Sequence, residues 1–108
     1  GLLEQEAKER GLPYTKSRFP FTASGRALAM GQTTGLVKML CERESGKVVG
    51  LHVMGPHASD LIAEGALAIE LGASAEHIAR TIHAHPTLPE AVMEAAMGQG
   101  EGPIHALM

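Results

Sequence analysis

The chain has 108 residues, enough for one domain with one hydrophobic core. It is 44% hydrophobic and 19% charged with a net charge of -3, and only 3% aromatic with no Trp. That profile fits a soluble globular fold and excludes a base-stacking platform or a basic nucleic-acid footprint.

A single cysteine, Cys41, excludes an internal disulfide, a CxxC pair and a multi-cysteine zinc site, and it points to a reducing compartment. No window reaches the roughly 18 to 20 apolar residues of a membrane span. The start, Gly1-Leu2-Leu3-Glu4, lacks the basic and apolar regions of a signal peptide and does not open on Met, so the chain reads as a piece of something longer.

Leu3 to Arg10 is predicted helical, ended by Gly11 and Pro13. Tyr14 to Phe21 follows as a strand, and Pro20 within it marks an edge or a bend. Ser24 to Gly31 reads as one or two helical turns. Leu36–Glu44 and Lys47–Met54 are apolar runs joined by Ser45-Gly46, which predicts a hairpin. On its second strand Val49, Leu51 and Val53 form one apolar face. Ser59 or Asp60 then caps a helix from Leu61 to Leu71 with a stripe of Ile62, Ala66 and Ile69, stopped by Gly72. Ser74 caps a second helix, Ala75 to Ile82. Thr87-Leu88-Pro89-Glu90 fits a capping box opening a third helix that runs to Gly98. Residues 99–108 form a Gly-rich tail without periodicity. Adjacent strands followed by segregated helices predict an α+β fold, an antiparallel sheet with helices packed on one side. The small residues Ala66, Ala68, Gly72 and Ala79 favour close helix packing, including across a dimer axis.

Charge divides along the chain. Residues 1–50 carry eight Lys/Arg and five Asp/Glu, whereas residues 51–108 carry only Arg80 against seven Asp/Glu and hold all six His. An acidic half of this kind suits a basic protein partner, and a plain solvated face explains it equally well.

The stretch richest in chemistry is His83-Ala84-His85-Pro86-Thr87-Leu88-Pro89-Glu90. A chain reversal at Pro86, compatible with a cis His85-Pro86 bond, can set the Glu90 carboxylate beside the His85 imidazole. In such a pair the carboxylate holds the tautomer and stabilises the imidazolium formed when His accepts a proton. A capping role accounts for Glu90 without catalysis, and an exposed surface position accounts for His85. His77, His83 and His85 form a second candidate, an imidazole zinc site with HxH pointing to one side. Gly98-Gln99-Gly100-Glu101-Gly102 is no phosphate loop, since it follows a helix and nothing helical follows it. Cys41 sits mid-strand, buried and inert.

The run Thr81-Ile82-His83-Ala84-His85-Pro86-Thr87-Leu88, closing at Glu90, resembles the dihydrolipoamide dehydrogenase branch of the pyridine nucleotide-disulfide oxidoreductases. Phe19-Pro20-Phe21, Ser24 to Ala27, Val49 to Pro56, Leu67 to Ala73 and Ile78-Ala79 agree. Glutathione reductase shares the His-Pro-Thr and the later Glu, and the HxHPTL form points to the lipoamide branch. The resemblance covers residues 1 to 105 and matches only the carboxy-terminal dimerisation domain, so 1–108 is expected to be that one interface domain.

The resemblance implies a homodimer whose active site is assembled between subunits. His85 would take the proton from a dihydrolipoamide thiol, Glu90 would orient His85, and the His85–Pro86 backbone would lie against the partner subunit's FAD. FAD and NAD would be held by domains outside this chain, leaving the isolated piece inert and free of cofactor. A basic subunit-binding domain of the acyltransferase of a 2-oxo acid dehydrogenase complex would dock over the dimer axis. The location would be the cytoplasm, or the mitochondrial matrix in a eukaryote, with neither nucleic acid nor membrane as partner. Asp60 stands where Glu is expected, Pro89 where Ser or His is usual, and His57 where Gly is common. The alternatives are a dimerisation or docking module without chemistry, and the His-based metal-binding domain.

Overall fold

A computed structural model describes residues 1–99. The elements are α1 (Glu4–Glu9), β1 (Tyr14–Pro20), a single 3-10 turn (Phe21–Ala23), α2 (Gly25–Met30), β2 (Leu36–Glu42), β3 (Val48–Met54), α3 (Ala58–Leu71), α4 (Ala75–Arg80) and α5 (Glu90–Met97). The three strands form an antiparallel sheet in the order β1-β2-β3. This is the α+β architecture expected, except that the helices do not all pack on one side, since α1 lies across the sheet from the others. Pro20 closes β1, which lies at the sheet edge, where its missing N–H costs no ladder bond.

The hairpin forms, but its turn is longer than Ser45-Gly46. Glu42 N–H donates to Lys47 C=O at 2.9 Å, leaving four residues in the loop, and Gly46 N–H donates back to Glu42 C=O at 2.9 Å. A bulge follows: Leu40 pairs with Gly50 and Cys41 with Val48, so Val49 is the extra residue. Its carbonyl accepts the Leu2 N–H at 2.8 Å. The bulge overturns the simple alternation on β3, because Val48 and not Val49 joins Leu51 and Val53 on the core side.

The core side of the sheet presents Phe19, Val37, Met39, Cys41, Val48 and Leu51 to Ala27 of α2 and to α3, α4 and α5. α3 packs on β3, α5 covers β1 and β2, and α4 leans on α5. α1 lies on the opposite face. There Glu4 accepts from Tyr14 Oη at 2.7 Å, Lys38 Nζ at 2.7 Å and Lys16 Nζ at 3.1 Å. Those donors, led by Lys38 and then Tyr14 and Lys16, hold the Glu4 carboxyl far below the usual carboxylate range. The predicted tail begins differently from expectation, because Gln99 is anchored. Its amide donates to Ser17 Oγ at 2.8 Å and Met39 C=O at 3.0 Å, and its carbonyl accepts from Thr15.

Two details of α3 depart from the sequence reading. Neither Ser59 nor Asp60 caps it; the helix starts at Ala58 behind His57, whose φ is 61°. That left-handed conformation is the one glycine adopts most easily, which accounts for the Gly expected there. The buried stripe is Leu61, Gly65 and Ala68, rotated by one residue from the stripe expected, and Ile62 and Ala66 are exposed. Gly65 decides the rotation: a Cβ there would lie 2.1 Å from Leu51 Cδ2. A glycine at the crossing lets α3 approach β3 through that face.

Cys41 is buried in mid-sheet, and burial pushes its thiol up to about 12. It is therefore expected to ignore a disulfide reagent under native conditions and to react stoichiometrically once denaturant unfolds the chain. Rapid native labelling would place Cys41 at the surface.

Candidate functional site

α4 is set in place by strand-like bonds to the hairpin. Val48 N–H donates to Ala73 C=O and Ala75 N–H to Gly46 C=O, both at 2.9 Å. Between α3 and α4 the chain turns at Gly72, whose φ of 66° suits a left-handed helix end. α4 ends two residues earlier than expected, at Arg80, and Thr81 to Pro89 follow without regular structure.

His85 and Glu90 meet. The His85 Nδ1–H faces both carboxylate oxygens of Glu90, at 3.0 Å (Oε1) and 2.9 Å (Oε2). Thr87 N–H donates to Oε1 at 2.8 Å. Glu90 thus holds the ring and satisfies a backbone N–H at the head of α5, where helix geometry also favours its negative charge. Only this half of the predicted capping box exists, because the Thr87 hydroxyl donates to Ala84 C=O at 2.6 Å instead. The His85-Pro86 bond is cis. Pro89 has helical dihedrals (φ -57°, ψ -21°) and so accommodates the helix start.

Electrostatics favour an ionised Glu90. Burial raises its carboxyl, but the Thr87 N–H and the bond and charge of His85 outweigh that, and the net shift is downward. An ionised carboxylate at Nδ1 fixes the tautomer with Nε2 unprotonated and stabilises the cation once Nε2 accepts a proton. The His85 side chain is 77% exposed, so the ring is open to solvent on the side away from Glu90. Beside it lies a cavity of about 490 Å³ lined by Phe19, Ser24, Gly25, Leu28, His85 and Glu90.

The structure does not bring His77, His83 and His85 together, and no group of three metal-ligating side chains occurs among the described residues. His77 Nδ1 accepts the Ser74 N–H at 3.0 Å. His83 Nε2 lies 2.7 Å from Glu64 Oε2 on α3, and its Nδ1 lies 2.7 Å from Thr81 C=O. The expectation that HxH points to one side therefore fails, because each imidazole is drawn to its own carboxylate on a different helix. Sequence reading missed Glu64, which lies 19 positions before His83, too far for any local signal of the pairing. His57 Nδ1 lies 3.5 Å from Asp60 Oδ2, away from the dyad. Among the described residues no helix is long and apolar enough to cross a membrane.

Residues 1–96 match the family described as pyridine nucleotide-disulphide oxidoreductase, dimerisation domain. The chain is 51% identical over 105 residues to the dihydrolipoamide dehydrogenase of Chaetomium thermophilum, covering 97% of this chain and 21% of the relative. It is 50% identical over 107 residues to the dihydrolipoyl dehydrogenase of Geobacillus stearothermophilus, covering 99% and 23%. Among solved structures, LpdA from Mycobacterium tuberculosis superposes with a TM-score of 0.85 at 28% identity, over 90% of this chain and 21% of that one. The chain spans about a fifth of the length of the curated relatives it matches.

Proposed function

Because the chain belongs to the dimerisation-domain family of the pyridine nucleotide-disulphide oxidoreductases, we propose that it is the interface domain of a dihydrolipoyl dehydrogenase and supplies the acid/base pair of that enzyme. The observation that carries this reading is the bond from His85 Nδ1 to an ionised Glu90, which readies Nε2 as a base.

On this reading His85 Nε2 takes the proton of a dihydrolipoamide thiol, and the thiolate left behind attacks the redox disulfide of the other subunit, breaking its S–S bond to give a mixed disulfide and one cysteine thiolate. The ionised Glu90 stabilises the imidazolium until the proton passes to that released thiolate. FAD and NAD belong to the rest of a longer enzyme. The flavin supplies the route by which the dithiol's electron pair reaches NAD+. This chain would contribute the exposed His85–Pro86 backbone, with His85 also lining the cavity.

Assembly as a homodimer is supported by apolar side chains that the single chain leaves exposed: Ile62, Leu67 and Leu71 on α3, and Ile82 ahead of the dyad. The acidic half of the sequence suits the basic subunit-binding domain of an acyltransferase. The compartment is the cytoplasm, or the matrix if the source is eukaryotic.

The test replaces the matching segment of the Geobacillus stearothermophilus dihydrolipoyl dehydrogenase by this chain. A dimer that oxidises dihydrolipoamide with NAD+ is expected. A dimer without that activity would favour a docking module lacking chemistry, and a monomer would overturn the interface assignment. Sedimentation of the 108-residue chain alone is expected to show a dimer at micromolar concentration.

A further inference from the structure

The segment from Thr81 to Pro89 carries the dyad histidine without regular secondary structure, so side-chain bonds decide where it sits. Some of these bonds are local: Thr81 Oγ1 donates to His77 C=O at 2.7 Å and Thr87 Oγ1 to Ala84 C=O at 2.6 Å. His83 is different, because it reaches across to α3. Its side chain is 7% exposed, against 77% for His85 two residues on.

Both partners of His83 are acceptors. The Thr81 carbonyl has no proton to give, and neither has an ionised Glu64. Both ring nitrogens are engaged at 2.7 Å, Nδ1 on the segment that carries His85 and Nε2 on α3.

We propose that His83, held between the Thr81 carbonyl and the Glu64 carboxylate, is a positioning residue that pins the His85 segment to α3. The proposal rests on the reading of His85 as the acid/base. The charged groups around His83 fit the role. Glu64 on α3 pairs with it, and Glu90 at the head of α5 is lowered in part by its charge. On α4, Arg80 lies 3.8 Å from Glu76, and His77 Nδ1 is taken by the Ser74 N–H.

Two substitutions in the active chimera separate the tie from the fold. Glu64→Ala removes the anchor, and about a tenfold fall in kcat for dihydrolipoamide oxidation is expected, within the range for a misplaced catalytic group. Flavin content and reduction by NADH should be unchanged. Glu64→Gln keeps a hydrogen-bonding group opposite His83 Nε2, so activity is expected to return to within about threefold of the parent. Nitrogen-15 NMR of the 108-residue chain reads the tie itself. The His83 Nε2 signal is expected to report a hydrogen bond in the unmodified chain and to lose it in Glu64→Ala. A His83 Nε2 signal unmoved by Glu64→Ala, or full activity in Glu64→Ala where His85→Gln is inactive, would overturn the proposal. If His85→Gln itself remained active, the acid/base reading would be what fails, and the NMR result would still decide whether His83 is tied to Glu64.

Discussion

Replacing His85 by Gln is expected to slow reduction of the chimeric or parent enzyme by dihydrolipoamide by roughly 10² to 10⁴-fold, the range for losing a positioned acid/base. The amide cannot accept a proton from the thiol, so the fall should appear in stopped-flow reduction by dihydrolipoamide. Reduction of the same protein by NADH should stay near its original rate, because that half-reaction needs no thiol deprotonation. Flavin content should also remain. Glu90→Gln should cost less in rate. Its amide carbonyl can still accept from the His85 Nδ1–H, now 2.9 Å from the carboxylate, but a neutral group stabilises the imidazolium less well. It also weakens the start of α5, by a few tenths to about 1 kcal/mol. The pH sign follows from the lowered Glu90 carboxyl: its contribution is present above the unfolded carboxylate value and is lost as pH falls through the folded one. Equal loss in both half-reactions for His85→Gln would make the histidine structural.

Gly65→Ala carries the second large effect, on stability. A Cβ at this position would lie 2.1 Å from Leu51 Cδ2, 2.8 Å from its Cβ and 3.0 Å from its Cγ. Contact with Leu51 Cβ cannot be relieved by a rotamer change, and Leu51 is buried between α3 and the sheet. Alanine improves helix propensity by about 1 kcal/mol, but overpacking of this kind costs about 1 to 3 kcal/mol. The net expectation is destabilisation by up to about 2 kcal/mol in denaturant unfolding of the 108-residue chain. Leu51→Ala alone should cost about 2 to 5 kcal/mol through its cavity. The double variant should cost less than the sum by more than about 0.5 kcal/mol, because the new methyl partly fills that cavity. Additive effects, or a stabilised Gly65→Ala, would mean that α3 can lift from β3 freely. Glu64 precedes Gly65, so such a lift would also disturb the tie to His83.

What was legible in the sequence is what neighbouring residues settle. Gly31 and Gly72 end helices in left-handed conformations, and the turn residues join β2 to β3. The His85–Glu90 pair belongs with these, because five residues across one helix start leave little freedom in where the carboxylate falls. The rest depended on partners far along the chain. Gln99 reaches Thr15, Ser17 and Met39; Glu4 gathers Lys16 and Lys38 and so holds α1 on the opposite face; Glu64 meets His83. The inward face of α3 is the clearest case. Its apolar residues run around much of the helix, with Ile62, Leu67 and Leu71 exposed and Leu61 and Ala68 buried, so periodicity supports more than one orientation. Local chemistry determined that a helix forms there and where it ends. Only the tertiary structure decided which side turns inward, because close packing on Leu51 admits the face whose centre, Gly65, has no side chain.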